Sequence, residues 1–364
     1  MPIKIVHCAD LHIGAPFSYL SKEKAAIRSA EVRNSLLDIA DFCKERVADA
    51  LLICGDLFDS PNPSESDCEF VKNTLAALFP IDVYISAGNH DYIGNNSPFL
   101  REGYFSKNVH IFPCFEHSFE LPEKNTVIWG KSYSSPCISP SFTSHSLSEE
   151  NINIMCLHGD TLRGSDYNII SAENLSSLPC NYAAFGHIHN GEIFSAGKVT
   201  CAYSGMPEGQ SFGDDGTVGF IYAEISERET VLTPVSFSKR HYQNLTLDIS
   251  GYKTSQIIEN AQALINENDL YRLTLTGEYP NADDINVPLI KSELQKRAFY
   301  IDIYDRTSPC YNLDEIEREE SLRGAFLREL RGLCSGEEEY ILCAKAGLDA
   351  LSGKSPDIGG DLCL

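Results

Sequence analysis

The first apolar run, Ile3-Lys-Ile-Val-His-Cys8, reads as a buried strand, and the stretch from Ser21 to about Val47 reads as a helix with Leu36, Leu37, Ile39 and Phe42 on its apolar side. Ala50 to Cys54 follows as a second strand. A Pro-rich loop at Ser60–Pro63, a helix over Ser64–Phe79 and a third strand near Val83–Ala87 come next. Such regular alternation of strand and helix predicts an α/β protein with helices outside a sheet. From about His110 onward short β-like runs dominate, over 109–112, 127–130, 152–157, 182–185, 199–204, 218–224 and 231–237. They are expected to build a second sheet packed on the first.

The rhythm changes again near residue 240. Tyr242–Ile249, a helix-like Ser255–Asn266, Tyr271–Thr276, a helix-like Ile285–Arg297 and Phe299–Tyr304 make a βαβαβ run, a compact module of its own. After Pro309 the chain is helical and charged, with Leu313, Ile316, Leu322, Phe326, Leu327 and Leu330 spaced to share one face. The expected boundaries are therefore 1–238 for a catalytic domain, 239–309 for an α/β module and 310–364 for C-terminal helices.

Composition narrows this picture. A length of 364 residues exceeds the usual size of one hydrophobic core, in keeping with more than one module, and 43% hydrophobic with 22% charged residues gives no case for long disorder. The N-terminal apolar run is too short for a signal peptide, and no stretch approaches the roughly 20 apolar residues of a membrane span. A cytoplasmic protein without a membrane partner is expected. The thirteen cysteines are scattered without Cys-x-x-Cys spacing and often sit in apolar strands, as at Cys8, Cys54 and Cys156, which points to buried thiols rather than disulfides. The net charge of −23 counts against tight unassisted binding of nucleic acid. Two bound divalent metals would restore about four positive charges where a phosphate must sit.

Five short segments carry the chemistry. In each, an apolar strand ends and a residue able to bind metal follows: Asp10-Leu-His12, Gly55-Asp56, Gly88-Asn89-His90-Asp91, His158-Gly159 and Gly186-His187-Ile-His189. Strand ends of an α/β sheet are where loops aim side chains into a shared crevice. Singly each segment is commonplace. Together they hold five of the ten histidines, namely His12, His90, His158, His187 and His189.

This ordered set resembles the calcineurin-like metallophosphoesterase superfamily over residues 5 to about 225. The resemblance implies a four-layer α-β-β-α sandwich, two mixed sheets flanked by helices. It implies that Asp10, His12 and His189 hold one metal, that Asn89, His158 and His187 hold the other, and that Asp56 bridges both. Imidazole, carboxylate and amide donors suit Mn²⁺, Fe²⁺ or Zn²⁺, with Mn²⁺ the expected ion. A metal pair about 3.5–4 Å apart clamps a phosphate oxygen and lowers the pKa of a bridging water from about 15.7 toward 7, so that hydroxide attacks phosphorus in line. His90 would stabilise the transition state and protonate the leaving oxygen, with Asp91 either orienting its ring or serving as a turn or cap residue.

Ile53-Cys-Gly-Asp-Leu-Phe-Asp59 together with Asp10-Leu-His-Ile-Gly14 is similar to the DNA-repair nuclease branch, the SbcD-type and YhaO-like proteins, in which a small α/β cap and partner-binding helices follow the catalytic domain. Phosphoprotein phosphatases instead carry an Arg after the second Asp of that segment and end the third motif in Glu, whereas Ser60 and Asp91 stand here. A loop-anchoring role is expected for Asp59. The branch implies a DNA exonuclease or endonuclease in DNA repair, an SMC-type coiled-coil ATPase partner whose coiled-coil base residues 313–351 would grip, and a possible homodimer. The alternative is a small-substrate nucleotide or cyclic-nucleotide phosphodiesterase using the same dimetal centre, which the acidic charge favours and the C-terminal extension disfavours.

Overall fold

The computed structural model describes residues 2–138, 147–161, 169–170, 172–214, 219–236, 238–279 and 285–353. They divide into a larger unit, Met1–Asn244 with Asn266–Arg272 and Ala298–Tyr300, and a smaller one, Leu245–Ile265, Leu273–Arg297 and Ile301–Leu364.

The first sheet of the larger unit uses β1 (Ile3–Cys8), β2 (Ala50–Cys54), β3 (Asp82–Ser86) and β4 (Val109–Ile111) as parallel neighbours. The second contains β5 (His117–Leu121), β6 (Thr126–Gly130), β7 (Ile152–His158), β8 (Tyr182–Gly186), β9 (Glu192–Ala196) and β10 (Val199–Tyr203), in the order β5-β6-β7-β8-β10-β9. Two later strands, β11 (Phe220–Ile225) and β12 (Thr230–Val235), return to the first sheet, where β11 pairs antiparallel with β1 to give the order β12-β11-β1-β2-β3-β4. The expectation that every run after about residue 109 joins the second sheet is thus corrected at three strands, β4, β11 and β12. Local pattern cannot distinguish them, because the sheet a strand joins is set by topology and not by its own residues.

Alternation along the strands sorts the two interiors. Ile3, Ile5, Ala50, Leu52, Cys54 and Tyr84 meet Ile128, Ile154, Cys156 and Tyr182 between the sheets. The intervening residues Val6, Leu51, Ile53, Val83 and Ile85 pack outward with Leu36, Ile39, Val71 and Leu75 from α1 (Lys22–Glu45) and α2 (Glu65–Ala76). Both helices start at serine caps, with Ser21 accepting from the Lys24 N–H and Ser64 from the Asp67 N–H. On the far side of the second sheet, α3 (Ala172–Ser176) contributes Leu175 to a cluster with Trp129, Leu157 and Phe185. The layers run helix, sheet, sheet, helix, the last being one short helix among the described residues. All twelve described cysteines are free and seven are buried, while Cys137, Cys310 and Cys343 are exposed.

The smaller unit carries α4 (Thr254–Leu264) and α5 (Val287–Leu294) with the later residues of a three-stranded sheet of order β13-β14-β16, whose strands are β13 (Tyr242–Asp248), β14 (Leu270–Thr276) and β16 (Tyr300–Asp305). Two-residue strands β15 (Glu278–Tyr279) and β17 (Ser308–Pro309) pair with each other. Helices α6 (Leu313–Arg318), α7 (Leu322–Leu333) and α8 (Glu337–Leu351) close over Ile316, Leu327, Tyr340, Ala344 and Leu348. Leu322, expected on the shared apolar face, is instead 73% exposed at the start of α7.

Among the polar groups that cross between the sheets is a buried histidine. His7 of β1 donates from Nε2 to the Phe185 carbonyl at 3.1 Å, while its Nδ1 accepts from the Tyr182 hydroxyl at 2.7 Å. One neutral tautomer satisfies both bonds, and burial lowers the ring's pKa from 6.5 to about 3. A depressed pKa means that the unfolded chain takes up a proton the folded chain refuses, so this contribution to stability is lost as pH falls below about 6.5. The stability advantage of the wild type over His7→Gln should shrink by about 2 kcal/mol between pH 6.5 and pH 5, as read from urea unfolding. An advantage independent of pH would place the proton elsewhere.

Candidate metal centre

Each segment singled out in the sequence leaves the end of a central strand: Asp10 and His12 follow β1, Asp56 follows β2, Asn89 to Asp91 follow β3, His158 ends β7 and His187 and His189 follow β8. The backbone there is unusual. Of the seven non-glycine residues with positive φ among the described residues, four are Asp10 (54°), His12 (49°), Asp56 (50°) and His187 (98°). Left-handed backbone costs such residues of order 1–3 kcal/mol each and persists only where the surroundings fix it, a condition that clusters at functional sites. The glycines of the motifs answer to crowding. A Cβ on Gly55 would lie 2.1 Å from His158 Nδ1, and one on Gly88 2.3 Å from Asp56 Oδ1, so each strand end approaches a functional side chain of another strand end.

The side chains converge on Asp56. Its Oδ2 lies 3.4 Å from His158 Nε2 and 3.9 Å from His12 Nε2, and its Oδ1 accepts from the His90 N–H at 2.8 Å. Asp10, His12 and His189 offer ligand atoms within 4.8 Å of one another, as do Asp10, Asp56 and His158, and His12, Asp56 and His90. Asn89 Oδ1 is 2.9 Å from His158 Nε2, the His187 ring stands 5.2 Å from that of His158, and the His187 backbone N–H donates to the Asp10 carboxylate. The structure therefore brings together Asp10, His12, Asp56, Asn89, His158, His187 and His189, with His90 at the rim.

Three imidazoles are oriented alike. His158 Nδ1 donates to the Cys54 carbonyl at 2.9 Å, His189 Nδ1 to Asp214 at 2.8 Å and His12 Nδ1 to Asp59 at 3.2 Å. Each Nε2 therefore faces the cluster and, once it has given up any proton it carries, presents its lone pair there, the arrangement a metal-binding histidine requires. His12 Nε2 is buried and without a hydrogen-bond partner. An orphaned buried imidazole nitrogen beside two buried carboxylates fits a divalent cation, and the mixed nitrogen and oxygen donor set fits Mn²⁺, Fe²⁺ or Zn²⁺.

Charges are crowded accordingly. Burial raises the Asp10 pKa, while burial of Asp56 is outweighed by His158, His12 and His90, which hold its carboxyl below the usual range. Burial alone would depress His158, but Asp56 and Asp10 lift it to about 9; burial and the His158 charge together lower His187 to about 4. In the metal-free chain a protonated His158 thus serves as the counter-cation.

Asp91 departs from the ring-orienting role raised for it. Its carboxylate is buried and accepts from the Gly88 N–H at 2.7 Å, the Leu57 N–H at 2.9 Å and the Phe58 N–H at 3.2 Å, so it ties the loop after β2 to the loop after β3. Burial, with the charge of Asp56, raises its pKa to about 7. The His90 ring instead faces Asp59, whose carbonyl lies 3.4 Å and whose carboxylate 3.8 Å from Nδ1. Asp59 also holds His12, a contact with a site residue beyond the loop anchoring expected of it. Asp214 gave no sequence signal at all, since Ser211-Phe-Gly-Asp214 matches no ligand spacing.

The chain is similar to known proteins. The profile of the calcineurin-like phosphoesterase family matches residues 3–220. The uncharacterized metallophosphoesterase YhaO of Bacillus subtilis is 25% identical over 303 residues, covering 76% of this chain and 72% of that protein. The DNA double-strand break repair protein Mre11 of Aeropyrum pernix is 24% identical, covering 68% of this chain and 64% of its own length. A component of the nuclease SbcCD from Bacillus subtilis is 23% identical over 63% of this chain and 68% of its own.

The hydrogen bonds separate Asp91 from its neighbour in a testable way. Asp91→Ala strands three backbone donors and should lower unfolding stability by about 3 kcal/mol in metal-free buffer, whereas His90→Ala, a 46% exposed side chain, should change it by less than about 1 kcal/mol. Equal losses in chemical denaturation would contradict the anchoring role.

Proposed function

We propose that this chain, which belongs to the calcineurin-like phosphoesterase family, is a dimetal phosphodiesterase that cleaves DNA. The observation that carries the dimetal reading is the set of imidazoles turned Nε2-inward onto the shared Asp56 carboxylate. In this reading Asp10, His12 and His189 hold one ion, Asn89, His158 and His187 the other, and Asp56 contributes to both. Two divalent ions, Mn²⁺ first among those to test, would supply polarisation of a phosphoryl oxygen and an activated water.

The chain's own residues do the rest. His90 is the half-exposed imidazole at the rim, and with Nδ1–H donated to the Asp59 carbonyl it would act on the leaving oxygen as the doubly protonated ring, giving up the Nε2 proton. Asp56 accepts the His90 N–H and so fixes the ring's distance from the metal-binding groups. Asp91 pins both loops that carry these residues.

DNA as substrate rests on the relatives named for nuclease and double-strand break repair activity, and on the matched regions, which extend past the phosphoesterase profile ending at residue 220. Residues 1–238 then form the catalytic domain, 239–309 a DNA-binding cap and 310–364 a partner-binding tail. Leu322 and Leu333, 73% and 80% exposed, suit contact with an SMC-type coiled-coil ATPase. No helix among the described residues is long and apolar enough to cross a membrane. The second reading, a nucleotide or cyclic-nucleotide phosphodiesterase, is favoured by the net charge of −23.

Three outcomes test these roles. An end-labelled linear duplex with Mn²⁺ should release nucleotides, and His90→Ala should abolish release while two metals per chain remain; hydrolysis of bis-p-nitrophenyl phosphate alone would move the substrate to small phosphodiesters. Activity on DNA should fall steeply with added salt, and a flat response would sink the DNA reading. Because His158 is raised to about 9, metal binding at neutral pH must expel a proton, so apparent affinity should climb with pH from 7 to about 9 and calorimetry should detect proton release.

A further inference from the structure

We propose that Asp214 is a positioning residue that fixes the proton of His189 on Nδ1, leaving Nε2 to bind metal, and that the loop from Ser204 to Asp214 is built to hold that carboxylate. The inference rests on the dimetal reading but concerns a residue which that reading does not use.

Asp214 is 7% exposed, and its two oxygens have separate duties. Oδ2 accepts from the Gln210 N–H at 3.1 Å and the Ser211 N–H at 2.7 Å, while Oδ1 faces His189 Nδ1 at 2.8 Å. With Oδ2 occupied by backbone donors, the carboxylate presents His189 with a pure acceptor, and Nδ1 must carry the proton. The loop itself is stitched at several points. The Met206 N–H donates to the His189 carbonyl at 3.0 Å, and Gln210 Nε2 donates to the Leu11 carbonyl, between Asp10 and His12, at 3.4 Å. Arg28, fully buried on α1, donates to the Gly209 carbonyl at 2.7 Å and to Glu208 at 3.0 Å. Carboxylates that orient a ligating histidine through its far nitrogen typically change metal affinity by about 10–100-fold when lost.

Asparagine at this position has one acceptor where aspartate has two. If its oxygen keeps the two backbone donors, its NH₂ faces His189 Nδ1, which must then accept, and the proton moves to Nε2. Asp214→Asn therefore enforces the wrong tautomer, whereas Asp214→Ala merely releases the ring. Alanine, however, abandons the backbone donors and loses more stability. A structural role and a tautomer-setting role thus order the two variants oppositely.

The experiment uses the full chain. Metal affinity is measured by equilibrium dialysis with Mn²⁺, stability by thermal unfolding without metal, and the His189 tautomer by ¹⁵N NMR of ring-labelled metal-free protein, assigned against His189→Gln. Expected are Nδ1–H in the wild type, a loss of at least about tenfold at one of two sites in Asp214→Asn, a smaller loss in Asp214→Ala, and the lower melting temperature in Asp214→Ala. Wild type binding two ions with His189 as the Nε2–H tautomer, or affinities that follow the stability order, would overturn the positioning role and leave the dimetal reading intact. Wild type binding fewer than two ions would defeat the dimetal reading, and this inference with it. Should the variants not fold, the wild-type tautomer alone decides.

Discussion

The Asp56 carboxylate is the point on which the larger unit turns. It leaves β2 on a left-handed residue, faces His12 from β1 and His158 from β7, and receives the backbone N–H of His90 after β3. Those strands belong to both sheets, so the carboxylate makes sense only once the sheets are packed face to face. Burying an unpaired carboxylate is costly, and burying two beside each other more so. The histidines, His158 above all, balance Asp56 and Asp10 in the metal-free chain, and bound cations would replace that balance with a stronger one.

Around this centre the structure tolerates local cost for the sake of position. Four site residues hold left-handed backbone, Gly55 and Gly88 allow strand ends to approach beyond what any side chain permits, and Asp91 locks two loops with three backbone hydrogen bonds. His7 adds a neutral polar tie between the sheets, close before Asp10 in the chain. The outward-facing nitrogens of His12, His158 and His189 are each held by an oxygen from a different segment. The site's imidazoles are thus oriented from several parts of the fold.

Much of this was legible in the sequence, for identifiable reasons. Ala50–Cys54 is apolar throughout and Ile152–His158 mostly so because both faces are buried, and the ligand-bearing motifs stand at their ends, where an α/β sheet places its crevice. His117–Leu121 and Glu192–Ala196 escaped notice because they flank the second sheet and alternate with exposed polar residues. The return of Phe220–Ile225 to the first sheet is a matter of topology, which no local pattern encodes. Asp91 lies beside His90 in sequence yet points to the backbone of Leu57 and Phe58, and Asp214 reaches His189 only through a loop closed by Arg28 and Gln210. Contacts set by tertiary closure were out of reach.

The most direct test is anomalous diffraction from crystals of the full chain equilibrated with Mn²⁺. Two peaks about 3.5–4 Å apart, flanking the Asp56 carboxylate with His12 on one side and His158 on the other, are the result this account predicts. A single peak, or a pair in which Asp56 touches neither ion, would contradict it.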